Sequence, residues 1–169
     1  MDNQCNVDID ISLQDPEWEK LGGVEKVVEE SVKLTLKSAI LPKIVLDRDT
    51  EVSIVLANND LLHVLNREYR DKDKPSNILT FATLDSEEPV TDGPLNLGDV
   101  FLSYETVMEE ATDEGKFILD HVRHLIVHGV LHLLGYDHKQ DDEATDMETL
   151  EIRILERMNV QNPYTKADF

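Results

Sequence analysis

Five of the chain's six histidines fall between His121 and His138. Imidazole is the commonest metal ligand among side chains, so this clustering raises metal chemistry first. His128 and His132 are four residues apart. On a helix of about 3.6 residues per turn they leave the same face, one turn apart, and both can reach one ion. Gly135 follows His132 by three residues and suits the left-handed position that ends a helix. The reversal after it can bring His138 back towards the pair. The pattern is H-x3-H-x2-G-x2-H, with His128, His132 and His138 as the predicted ligands.

Three neutral imidazoles favour Zn²⁺, though Ni²⁺ and Cu²⁺ would also bind. One zinc ion per chain is expected. Three protein ligands leave a tetrahedral position open for water, as in a catalytic site. Bound zinc lowers the pKa of its water to about 7, which makes hydroxide available at neutral pH. His121 and His124 share the ligand face within an arc of about 80°. They can line the same cleft, bind substrate or hold the helix, and all three readings stay open. His63 lies outside the cluster and reads as a structural histidine.

These side chains need a long helix, and Phe117 to Leu134 supplies it, stopping at Gly135. Val7 to Leu13 alternates apolar and polar residues, a half-buried strand. Asp15-Pro16 is a cap followed by proline at the first helical position. After Gly22-Gly23, Val24 to Ile40 reads as a helix, and Glu51 to Ala57 as a second strand. Asn59 or Asp60 can cap a helix to about Tyr69. Arg70 to Ser76 reads as a polar loop, and Ile78 to Ala82 as a short strand. Thr83 to Asn96 is acidic and carries Pro89, Gly93 and Pro94, so an exposed loop is predicted. Gly98 to Leu102 is a further strand. Ser103 can cap a helix to about Thr112, broken by Gly115. A last helix runs from about Asp141 to Met158, with Met147, Leu150, Ile154 and Met158 on one buried face. The prediction is one α+β domain spanning residues 1–169. It has about four strands in a mixed sheet, about five helices, and the metal site at the end of the long helix.

The chain has 169 residues, 40% of them apolar and 31% charged, which suits a globular domain. No apolar run approaches the roughly 18–20 residues that would span a membrane, so no membrane partner is expected. The start, Met1-Asp2-Asn3-Gln4-Cys5, has neither the basic residues nor the apolar stretch of a secretory signal. Cys5 is the only cysteine, so no internal disulfide can form. A cytoplasmic location is expected. The formal net charge of -20 runs against nucleic-acid binding, which usually leaves a basic footprint.

The ligand pattern shares its spacing with the metzincin proteases, H-E-x-x-H-x-x-G-x-x-H. Their general base is the glutamate beside the first histidine, and here that position is Gly129. The resemblance therefore stops at the metal. A fuller match is the YbeY family of endoribonucleases, also called rRNA maturation factors. His128-Gly129-Val130-Leu131-His132-Leu133-Leu134-Gly135-Tyr136-Asp137-His138 resembles that family's H-G-x-L-H-L-x-G-Y-D-H. The segment from Leu65 to Phe81, with Tyr69-Arg70 and Lys72-Asp73-Lys74-Pro75, is similar to its L-N-x-x-Y-R-x-K-D-K-P-T-D-V-L-S-F. Ser76, Asn77 and Thr80 keep small polar groups where the family often has Thr, Asp and Ser. Leu97-Gly98-Asp99-Val100 resembles its L-G-D-I. The matches occur in family order over about residues 65–138.

The resemblance implies a metal-dependent, single-strand-directed endoribonuclease of ribosomal RNA processing and ribosome quality control. It implies zinc on the three histidines, RNA as substrate and the ribosome or its associated proteins as partners. It also marks Arg70 as a catalytic residue, whose guanidinium can hold two phosphoryl oxygens with paired donors. Arg67, Arg70, Lys72 and Lys74 place four positive charges within eight residues, the one basic concentration near the site. Asp137 can orient a ligand imidazole or serve the turn. No carboxylate of the motifs is an obvious general base. Two other readings remain: a zinc hydrolase of peptides or other small substrates, and a non-catalytic metal-stabilised protein that docks on a ribosomal partner.

Overall fold

The alternation of Val7, Ile9, Ile11 and Leu13 with polar neighbours produces strand β1 over Val7–Leu13. The computed structural model describes residues 6–46, 48–86, 92–137 and 140–164. Its other elements are α1 (Val24–Ser38), β2 (Thr50–Ala57), α2 (Asn59–Arg70), β3 (Ile78–Ala82), β4 (Leu95–Ser103), α3 (Tyr104–Glu114), α4 (Ile118–Leu133) and α5 (Asp141–Glu156). The four strands and five helices match the expected α+β class.

The sheet order is β1-β2-β4-β3. β1 and β4 both run parallel to β2, and β3 runs antiparallel to β4. Parallel neighbours need a crossover, which α1 supplies between β1 and β2. Alternation then divides β3 between two cores. Leu79 and Phe81 face a small cluster with Leu62 and Leu65 of α2. Ile78 faces the main core with α1 and α4.

α4 is the central element. Val122, Ile126, Val127, Val130, Leu131 and Leu133 are fully buried in it, and the helix touches α1, α3, α5, β3 and β4. It packs tightly on the sheet at Gly129. A Cβ there would stand 2.9 Å from Ile78 Cδ1, 3.1 Å from Val100 Cγ1 and 3.3 Å from Thr80 Cγ2. The position that carries glutamate in the protease pattern is therefore filled by the sheet.

Several boundaries differ from expectation. Asp15-Pro16 opens only one 3-10 turn, Pro16–Lys20, with the Asp15 side chain accepting from the Glu17 amide. The α2 cap is Asn58, whose Oδ1 accepts from Leu61 N at 3.0 Å. Asn59 is committed elsewhere, accepting from Thr106 Oγ1 at 2.6 Å and from Ser103 Oγ. Ser103 precedes α3 but makes no capping bond to it. β4 starts at Leu95, inside the expected loop, because Leu95 and Leu97 are buried and Leu95 and Asn96 pair with Thr50 and Glu51 of β2, the register shifting at Leu97. The rest of that loop holds a short 3-10 turn, Thr83–Asp85, and residues 87–91 lie outside the described residues.

Candidate active site

α4 ends as its glycine requires. Gly135 has φ +99°. Gly135 N donates to His132 O at 3.0 Å, and Tyr136 N donates to Leu131 O at 3.0 Å. This paired closure leaves His128 and His132 in the last turns of the helix. Their rings meet nearly edge-on, 4.6 Å between centroids, and their Nε2 atoms lie 3.0 Å apart. Two nitrogens bound to one tetrahedral zinc at about 2.0–2.1 Å sit roughly 3.3 Å from each other. The pair therefore fits a shared ion. Among the described residues no three ligand-type side chains converge on one point. The expected third ligand, His138, lies outside the described residues.

Behind His128 stands a residue that the motif reading missed. Glu151 of α5 is completely buried, and its Oε1 accepts from His128 Nδ1 at 2.6 Å. Its Oε2 accepts from His124 Nε2 at 3.3 Å and from the Tyr164 hydroxyl. Burial pushes the carboxyl upward, but the hydrogen bonds from His124 and His128, the charge of His128 and the Tyr164 hydroxyl together outweigh it and hold the pKa at about 2. Burial and the adjacent carboxylate push the Tyr164 phenol well above its ordinary range. A signal for Glu151 existed in the sequence: it falls between Met147 and Ile154 on the apolar stripe of α5, where a charge must have partners. At His128 the orienting place considered for Asp137 belongs to Glu151.

His121 is buried two turns up α4 and donates from Nε2 to Glu110 Oε1 of α3 at 3.0 Å. Asn77 Nδ2, from the loop before β3, reaches the same oxygen at 3.0 Å. Nδ1 of His121 and of His124 is buried without a hydrogen-bond partner among the described residues. That fits the tautomer with hydrogen on Nε2 in both rings, since a bare lone pair costs less than a stranded N–H. Both histidines thus hold α4 to its neighbours, and neither lines the cleft. His63 is remote, paired with Asp73 at 2.7 Å on the surface.

Arg70 enters from the opposite face of the sheet. It is the last residue of α2, and its guanidinium reaches the outer edge of β3, where Nη2 donates to Thr80 O at 2.8 Å. It lies over the Phe81 ring, 4.8 Å from the centroid. The edge strand thus separates Arg70 from α4, and a cleft of about 610 Å³ joins them. His128 and His132 line it with Arg70, Lys72, Lys74 and Glu110. Three of the four cations of the predicted basic segment therefore face the cleft. Arg67 is exposed and is not among its lining residues. Glu110 is the one carboxylate on the cleft wall among the described residues.

The arrangement sets two imidazole nitrogens 3.0 Å apart against a cationic wall across an open groove. It suits an anionic substrate cut by a metal-bound nucleophile. The profile of the endoribonuclease YbeY family matches residues 14–159. The chain belongs to that family. An endoribonuclease YbeY of Paramagnetospirillum magneticum is 45% identical over 161 residues, covering 94% of this chain and 96% of that protein. One from Rhodospirillum rubrum is 48% identical over 155 residues, covering 89% and 78%. One from Bartonella bacilliformis is 39% identical over 160 residues, covering 95% and 98%. The solution structure of TM1509 from Thermotoga maritima shares the fold, with a TM-score of 0.56 at 24% identity, covering 94% of this chain and 99% of that one. Family membership favours the ribonuclease reading over the peptide-hydrolase and non-catalytic ones.

Proposed function

We propose that this chain is a zinc-dependent endoribonuclease that cuts single-stranded RNA during ribosomal RNA maturation and ribosome quality control. The observation that carries the reading is the cleft itself: two imidazole nitrogens 3.0 Å apart on one wall and the Arg70 guanidinium on the other. His128 and His132, joined by His138, would hold the metal. The ion would supply a nucleophilic water and polarise a phosphoryl oxygen.

The chain's own groups supply the rest. Arg70 is pinned by the carbonyls of Thr80 and Tyr69, and five N–H donors outnumber these two bonds. It can therefore donate to phosphoryl oxygens, where charge builds during cleavage, without losing its place. Lys72 and Lys74 extend the positive wall along the groove. An overall charge of -20 weakens long-range attraction to RNA. Free RNA is then held modestly, and a ribosomal partner supplies most of the binding. The proposed place of action is the cytoplasm.

The test is metal analysis paired with an RNA cleavage assay on wild type and His132→Ala. Wild type should carry one zinc and cut single-stranded RNA, and the variant should do neither. A metal-free wild type that cuts RNA equally well overturns the proposal.

A further inference from the structure

Each ligand imidazole has two nitrogens, and only the one without hydrogen can bind a metal. For His128 the choice is made from outside the ligand motif. Its Nδ1 faces Glu151 Oε1 at 2.6 Å, while its Nε2 faces His132 Nε2 at 3.0 Å. We propose that Glu151 is a positioning residue that keeps hydrogen on His128 Nδ1 and so presents Nε2 as a bare lone pair to a metal in the cleft. This inference rests on the metal reading of His128 and His132.

Three observations carry it. First, the carboxylate has no competing purpose in solvent, because Glu151 is completely buried. Second, its two oxygens are divided. Oε1 serves His128, and Oε2 takes His124 Nε2 and the Tyr164 hydroxyl. Three donors converging on two oxygens is an arrangement that only a carboxylate satisfies. It also fixes the carboxylate plane, so the His128 ring has one orientation. Third, the flanking positions on that face, Met147 and Ile154, are buried and apolar. Packing alone would be served there by another apolar side chain. The charge is fully buried and touches one of the two imidazole rings that line the cleft.

α5 and the Tyr164 turn then belong to the metal centre, although neither offers it a ligand. Outer groups of this kind typically account for about 10–100-fold in metal affinity.

The experiment has two arms. In metal-free wild type, ¹⁵N NMR of the histidine side chains should show His128 with hydrogen on Nδ1. Hydrogen on Nε2 overturns the proposal without any variant. Zinc affinity is then measured by chelator competition for wild type, Glu151→Gln and Glu151→Met, with folding followed by circular dichroism. Glu151→Gln presents either an oxygen or an amide to Nδ1, so the tautomer is no longer imposed. Affinity should fall about 10–100-fold in both variants. A folded Glu151→Gln with wild-type zinc affinity sinks the positioning role and leaves the metal reading intact. A wild type that binds no zinc sinks the metal reading itself.

Discussion

Ile78 Cδ1 stands 2.9 Å from where a Cβ on Gly129 would sit. The helix that carries the histidines therefore packs on sheet side chains at a point with no room for a side chain of its own. Alanine would gain about 1 kcal/mol in helix propensity but meet overpacking of about 1–3 kcal/mol. Ile78 can swing its terminal methyl, so Gly129→Ala should lose about 1 kcal/mol net. Gly129→Glu, which restores the protease pattern, should lose about 3 kcal/mol or more, because a charge joins the clash. Urea unfolding of the two variants checks both values. A stable, well-folded Gly129→Glu would contradict the packing described.

On the proposed zinc site, removing the metal should loosen the whole domain. A ligand bound only by the native state stabilises by about 2.7 kcal/mol at a hundred times its dissociation constant. Chelation should thus lower the melting temperature of wild type and leave that of His132→Ala unchanged. Scanning calorimetry with and without chelator reads the difference.

Arg70→Ala should keep zinc and lose cleavage by about 10²–10³-fold in kcat, the usual loss when a donor to developing charge is removed. Arg70→Lys should recover little, since an ammonium lacks the fork that bridges two oxygens. Single-turnover cleavage with parallel metal analysis separates these effects. Arg70→Lys at wild-type rate would reject the paired-donor role.

Three cations on the cleft wall, Arg70, Lys72 and Lys74, set the salt response. Displacing counterions from a single strand gives a log–log slope of about −0.7 per phosphate contact, hence about −2 here. Fluorescence anisotropy with a short single-stranded RNA across a salt series measures it. A slope near zero would mean that binding does not use this wall.

Asp15 gives a pH dependence. Its carboxylate accepts from Glu17 N at 2.9 Å and Asn58 Nδ2 at 3.1 Å. These bonds hold its pKa below the ordinary 3.8. A depressed pKa contributes stability that is present above the unfolded value and fades as pH falls through the folded one. The stability gap between wild type and Asp15→Asn should therefore narrow between about pH 5 and about pH 3. Urea unfolding at both ends of that window tests it.

How much of this could be read in the residues depends on whether the cause is local. β1 was legible because alternation over Val7–Leu13 is its own signal, and the end of α4 because Gly135 needs a left-handed backbone. β4 was read three residues short at its start. Asn96, close after the Gly93-Pro94 pair, looks like loop until Glu51 of β2 lies alongside it. The pairing of His128 with His132 followed from helical spacing. The place of Arg70 followed only from resemblance, since nothing local says that α2 ends at the rim of β3. Glu151 left a trace as a charge on an apolar stripe. Glu110 left none, because its bonds to Asn77 and His121 exist only once three elements have packed.

The two walls of the cleft differ in what must break for them to move. His128 and His132 ride on a helix buried against α1, α3, α5 and the sheet, so their amides should exchange with solvent only when the whole domain opens. Lys72 and Lys74 sit on an exposed connection between α2 and β3, tied to the buried Asn66 by Lys72 N donating to Asn66 O at 3.1 Å and Asn66 Nδ2 donating to Lys74 O at 2.8 Å. The two walls therefore open by different events, the histidine wall with the whole domain and the lysine wall with the release of Asn66.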